Sequence, residues 1–218
     1  QGKEADYSFW GDPQILPMRA DKDLNVILIS IDTLRADHLS TYGYKRKTSP
    51  SMTAIAKNGV LFKNVISQAP WTYPSHASML TSLYPSALGY KFSLNNVKND
   101  ALPNKATTLA EILEYNGYLT AGFVGGGPIA SDKGFYRGFS YYNDKWSNKI
   151  ETKFNAVTNW ISKHKKAKFF LFLHTFEVHE YSGDDHLIFA SQINNLEGLK
   201  RRIVEYDGKI KLVDDYIG

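Results

Sequence analysis

The chain has 218 residues, 43% apolar, 14% aromatic and 22% charged, a composition that supports one sizeable core and excludes a disordered polypeptide. Its 26 Lys and Arg against 22 Asp and Glu leave a formal charge of +4, too small and too dispersed to imply a nucleic-acid partner. Cysteine is absent, which excludes disulfides, thiolate metal sites and cysteine nucleophiles, and no apolar run approaches the roughly 20 residues that cross a bilayer, so the chain reads as not transmembrane.

Residues 1–23 mix Gly, Pro and both charges without periodicity and read as an irregular amino-terminal arm. Asn25 to Ile31 is a continuous apolar run ending on Asp32, the pattern of a strand buried on both faces. Its carboxyl end is where open α/β sheets bind ligands. Ser49-Pro50-Ser51 opens a short helix that Asn58-Gly59 closes, and Val60 to Ser67 predicts the next strand. Thr72-Tyr73-Pro74-Ser75 starts a helix with Pro74 in its first turn. Thr107 to Asn116 repeats the helical pattern with Gly117 as its stop, and Leu119 to Val124 returns as a strand. Gly125-Gly126-Gly127-Pro128 is a loop, either a flexible turn or a close approach to an anion.

Ile150, Phe154, Val157 and Ile161 recur at helical spacing inside a stretch, Lys145 to Lys168, with seven lysines against one glutamate. That stretch reads as a helix with a solvated cationic face. Phe169 to Leu173 is a further buried strand, and Leu196 to Ile217 a final helix. Alternating strands and helices predict an α/β fold, a doubly wound, mainly parallel sheet with helices on both faces.

Asp32 sits where metals and phosphates collect, although strand-end aspartates also serve as caps. Thr72 lies in the positive end of a helix dipole, as an N-cap or as a hydroxyl whose alkoxide that field stabilises. His76 follows one turn later. His174, Glu177, His179 and His186 cluster after the Phe169 strand, at the edge that carries Asp32. Their order is not the His-Glu-x-x-His of zinc peptidases, so a substrate-facing role is preferred for His179.

Five collinear segments then agree with one family: Asn25 to Leu39, with Asp32, Arg35, Asp37 and His38; Ala69 to Pro85, with Thr72, Pro74 and His76; Thr108 to Gly122; Phe169 to Glu180; and Tyr206 to Gly218. Together they resemble the sulfatase-like branch of the alkaline phosphatase superfamily, from residue 24 to the last. The resemblance implies an alkaline-phosphatase-like sheet, Asp32 and Thr72 as ligands of one divalent ion (Ca, Mg, Mn or Zn), and Thr72 and His179 as catalytic groups. His76 and His174 become substrate-binding residues. Relatives with Cys or Ser at the nucleophile position convert it to formylglycine. Threonine gives no formylglycine, so an unmodified hydroxyl is expected.

His76 stands where family members with that modification have arginine, and Gly125-Gly126-Gly127 where they carry a lysine-bearing anion run. Both departures point away from sulfate and toward phosphate esters, which are expected to turn over faster; the resemblance implies a metal-dependent hydrolase or transferase of phosphate or sulfate esters that works through a covalent threonine ester. The family completes its metal site with a later Asp-His-Gly segment, which is absent from these residues. Residues 24–218 are therefore expected to be the amino-terminal portion of a catalytic domain whose carboxyl-terminal half is missing or supplied by another chain, inactive alone. The expected substrate is a small anionic ester of a glycan, lipid head group or aryl alcohol, in the periplasm or outside the cell. The alternative is a catalytically silent sulfatase-like module that binds an anionic glycan, lipid head group or protein.

Overall fold

The computed structural model describes residues 24–90, 101–145, 150–179, 188, 189, 192 and 196–218. Residues 1–23, Asp185 and His186 lie outside the described residues. Strands β1 (Val26–Ile31), β2 (Leu119–Phe123), β3 (Tyr141–Asn143) and β4 (Phe169–Thr175) form one parallel sheet in the order β1-β4-β2-β3. Helices α1 (Pro50–Lys57), α2 (Thr72–Thr81), α3 (Leu109–Tyr115), α4 (Ile150–His164) and α5 (Gly198–Ile217) accompany it. Among the described residues no helix is long and apolar enough to cross a membrane.

β4 is central and buried along its whole length, and its period-two alternation separates two cores. Phe169, Leu171 and Leu173 pack with Phe154 and Val157 of α4 and Ile210 and Val213 of α5. Phe170 and Phe172 pack on the other face with Tyr73, Ala77 and Leu80 of α2 and Ala110 of α3. Helices thus cover both faces, the doubly wound arrangement expected from the alternation of elements. Helix α3 starts at a capping box: Thr108 Oγ1 accepts from the Glu111 N–H at 3.1 Å while Glu111 Oε2 accepts from the Thr108 N–H at 2.7 Å.

Three details differ from expectation. Val60 to Ser67 is not a strand: it pairs with nothing among the described residues, and Val60 and Ile66 are 77% and 82% exposed. Its apolar pattern signals burial, but a strand also needs a ladder partner. β1 is not buried on both faces: among the described residues it is an edge strand paired with β4, and Ile27 and Ile29, on one face of it, are left uncovered. The three-residue β3 has no apolar run and carries no periodic signal in the sequence.

Helix α5 holds the segment that follows β1, through to the start of α1, with two buried carboxylates. Asp214 accepts from the N–H groups of Ser51 and Met52, each at 2.9 Å, and so caps α1 from outside. Asp207 is fully buried and accepts from His38 Nδ1 at 2.6 Å, from the Tyr44 hydroxyl at 2.7 Å and from Arg46 Nη1. Removing one member of a buried ion pair strands the others. Asp207→Ala is expected to lower unfolding stability by about 3–5 kcal/mol, read from urea denaturation. A loss under ~1 kcal/mol would show that the cluster is solvated.

Candidate active site

The parallel register pairs Ser30 with His174 and Ile31 with Thr175, and the ladder runs one residue further, the Asp32 N–H donating to the Thr175 carbonyl at 3.0 Å. Asp32 therefore leaves the sheet in a fixed position at its carboxyl edge. Across from it α2 begins. The N-cap is Trp71, extended and without a side-chain cap, so Thr72 is the first helical residue and its hydroxyl is not used for capping. Thr72 Oγ1 instead donates to Asp32 Oδ2 at 2.8 Å. The two residues that the sequence leaves ambiguous, cap or functional group, are brought together here.

His76 pins this arrangement. Its Nδ1–H donates to the Thr72 carbonyl at 2.7 Å, which leaves Nε2 to accept the Ser30 hydroxyl at 2.9 Å. Burial holds its pKa below the ordinary imidazole value, despite the opposing Thr72 carbonyl and the Asp32 charge, so the ring is neutral. Ser30, a polar residue in an apolar strand, is present because it meets this ring.

His174 is fully buried, and neither ring nitrogen has a hydrogen-bond partner among the described residues. Nε2 lies 3.5 Å from Asp32 Oδ2, an electrostatic contact longer than a hydrogen bond. The ring sits edge-on to His76 at 4.8 Å and to Phe176 at 4.4 Å between centroids. Burial pushes its pKa down to about 4, so it too is neutral near pH 7. His76 and His174 are expected substrate contacts; among the described residues both are buried, His76 bonded to Ser30 and the Thr72 carbonyl and His174 beside Asp32.

Burial opposes ionisation of Asp32, but His174, the Thr72 hydroxyl and His76 outweigh it, and the carboxyl lies below its ordinary pKa. The α2 amino terminus adds positive potential. The result is an anionic carboxylate that holds a hydroxyl at the mouth of a helix dipole. His179 is exposed in the turn after β4, its N–H donating to the Phe176 carbonyl at 2.9 Å.

Two features escape the sequence patterns. Lys153 is buried on α4 and its Nζ approaches the His174 carbonyl at 3.4 Å. Burial lowers its pKa, partly offset by Glu177, which is itself paired with the buried Lys209 at 2.7 Å. The signal was available: Lys153 stands three residues after Ile150 and beside Phe154, on the helix's apolar face, not on the solvated face assigned to the lysine-rich stretch. The glycine loop is the second. A Cβ on Gly125 would lie 2.4 Å from the Phe176 ring, and one on Gly126 2.7 Å from the Asp144 carbonyl, so neither position has room for a side chain.

Asp32 and Thr72 place a carboxylate and a hydroxyl oxygen together, a donor set that suits a hard divalent cation. Such an ion takes about 6–8 oxygen ligands. Among the described residues no group of three or more His, Cys, Asp or Glu is arranged to hold a metal, so the pair fits as part of a ligand set.

The sulfatase family model matches residues 24–218. Arylsulfatase A of Bos taurus is 33% identical over 132 residues, covering 56% of this chain and 26% of that protein. The match thus spans about a quarter of the length of this curated relative. The solved structure of Ps i-CgsB superposes with a TM-score of 0.71 at 22% identity over 90% of this chain and 54% of that one. The C-terminal periplasmic domain of EcEptC from Escherichia coli gives 0.67 at 19% identity over 93% and 61%. These two structures share the fold.

A buried imidazole with no hydrogen-bond partner among the described residues is costly to keep. His174→Leu, similar in volume and without ring nitrogens, is expected to leave unfolding stability unchanged or to raise it by about 1–3 kcal/mol in urea denaturation. Destabilisation beyond ~3 kcal/mol would show that the ring nitrogens contribute to folding.

Proposed function

The chain belongs to the sulfatase family, and from that membership and the Asp32–Thr72 geometry we propose that residues 24–218 carry the nucleophile of an ester hydrolase acting on sulfate esters. They form the amino-terminal portion of a larger catalytic domain, and the rest of that domain, from the same or another polypeptide, adds the remaining ligands and substrate contacts. The observation that carries this reading is the 2.8 Å hydrogen bond from the Thr72 hydroxyl to an ionised Asp32 at the start of α2.

Thr72 Oγ attacks the sulfur of the bound ester, forming the Oγ–S bond as the bond from sulfur to the ester oxygen breaks. Asp32 Oδ2 already accepts the hydrogen bond of the Thr72 hydroxyl and takes its proton. The departing alkoxide receives a proton from His179, so the first product leaves as an alcohol. Water then attacks the sulfur of the threonine ester and gives its proton to the His179 that the first step left deprotonated; the S–Oγ bond breaks, sulfate departs, and Oγ regains its proton from Asp32. His76 and Ser30 keep the first turn of α2 in register with β1 through these steps, and neutral His174 backs the Asp32 carboxylate. A divalent ion, Ca, Mg, Mn or Zn, held through Asp32 and Thr72, would supply Lewis-acid stabilisation of the anion's charge.

A second reading, turnover of phosphate esters through the same threonine, is favoured by one observation: the nucleophile position holds threonine in a chain without cysteine, so no formylglycine forms. Glycans, lipid head groups and aryl alcohols are the proposed leaving groups, and an extracytoplasmic location belongs to the same proposal. The silent-module alternative is disfavoured because an ionised carboxylate engages the Thr72 hydroxyl.

Thr72→Ala in the full-length protein is expected to stay folded and to lose turnover of 4-nitrophenyl sulfate and phosphate on the order of a thousandfold or more. Near-normal activity on both esters would refute the assignment. Replacing His179 by Ala should slow esters with poor leaving groups by about a hundredfold and spare nitrophenyl esters. A uniform loss across leaving groups would assign His179 to anion binding.

A further inference from the structure

Asp32 leaves β1 on a turn that its own backbone does not close. Thr33, β-branched, has φ 58°, in the left-handed region that such residues rarely adopt. Its hydroxyl donates back to the Asp32 carbonyl at 2.7 Å. Among the described residues no main-chain hydrogen bond bridges Thr33 and Arg35. A phenol from α5 does so instead: the Tyr206 hydroxyl donates to the Thr33 carbonyl at 2.7 Å and accepts from the Arg35 N–H at 2.9 Å.

The phenol is itself held. Its ring meets His38 edge-on at 5.1 Å, and His38 Nδ1 donates at 2.6 Å to Asp207, the next residue along α5. Asp207 is buried and also binds Tyr44 and Arg46. One helix turn therefore grips both ends of the segment Thr33 to His38, through Tyr206 at its start and Asp207 at its end.

We propose that Tyr206 is a positioning residue for Asp32: its hydroxyl holds Thr33 in the left-handed conformation and thereby aims the Asp32 carboxylate at Thr72. This inference rests on the proposed role of the Asp32–Thr72 pair. Without the hydroxyl, Thr33 relaxes toward ordinary φ, and Asp32, one residue earlier, swings away from Thr72. Glycine at position 33 pays no Cβ penalty in that region and lowers the need for the clamp.

The test uses the full-length protein as wild type, Tyr206→Phe, Tyr206→Phe with Thr33→Gly, and Thr72→Ala, with amide hydrogen exchange at Arg35 and turnover of 4-nitrophenyl sulfate in the presence of CaCl2 as readouts. Tyr206→Phe keeps the ring packing and removes only the hydroxyl. It is expected to lower Arg35 protection by about tenfold or more and kcat/KM by about ten- to a hundredfold. The added Thr33→Gly should recover about threefold or more of kcat/KM without restoring Arg35 protection. Wild-type exchange at Arg35 in Tyr206→Phe, unchanged turnover, or a loss that Thr33→Gly does not relieve would each overturn the clamp. Full turnover in Thr72→Ala would sink the catalytic reading instead, and the exchange at Arg35 would still decide whether Tyr206 closes the turn.

Discussion

The register between β1 and β4 is the constraint from which the candidate site follows. Pairing Ser30 with His174 and Ile31 with Thr175 puts four polar residues, Ser30, His174, Thr175 and the outgoing Asp32, at one end of an otherwise apolar pair of strands. A slip of one residue would turn Ser30 and His174 toward opposite faces and separate the carboxylate from α2. Register is secure because β4 is buried on both faces, so Phe170 and Phe172 cannot exchange cores with Leu171 and Leu173 without emptying both. The hydrophobic pattern of the strand thus determines where the carboxylate points.

On that frame the site gathers groups that a purely structural core would avoid. Two neutral imidazoles, one without any hydrogen-bond partner among the described residues, lie against a carboxylate held ionised below its ordinary range. The α2 amino terminus leaves the Thr72 hydroxyl free for Asp32, with Trp71 taking the cap position. Lys153, buried beside the His174 carbonyl, places a further titratable group behind the same strand end. Burying this much polarity costs stability, and such concentrations of perturbed groups are characteristic of functional sites.

Much of this is legible in the residues. The apolar runs of β1 and β4, the Pro-bearing first turn of α2 and the Gly117 stop of α3 each carry a local physical signal, and each element lies where that signal puts it. Asp32 and Thr72 were visible as candidates, but their pairing depends on a contact across 40 residues of sequence, which no local pattern encodes. Val60 to Ser67 shows the converse: a strand-like sequence stays irregular where no ladder partner is present among the described residues. His76 and His174 lie near the site but inside it, since a histidine's position in the sequence does not say which face of the sheet or helix it enters. Tyr206 and Asp207 were part of a recognisable segment, but their work is done on a turn more than 160 residues earlier.

On the proposed mechanism Thr72 becomes esterified during turnover. Acid quenching of the full-length protein with an excess of 4-nitrophenyl sulfate or phosphate, followed by proteolysis and mass mapping, tests it directly. With Thr72 as nucleophile, a sulfo- or phospho-ester is expected on the peptide containing Thr72, formed as rapidly as the first burst of nitrophenol. Turnover with Thr72 unmodified at every quench time, or an adduct on a different residue, would contradict it.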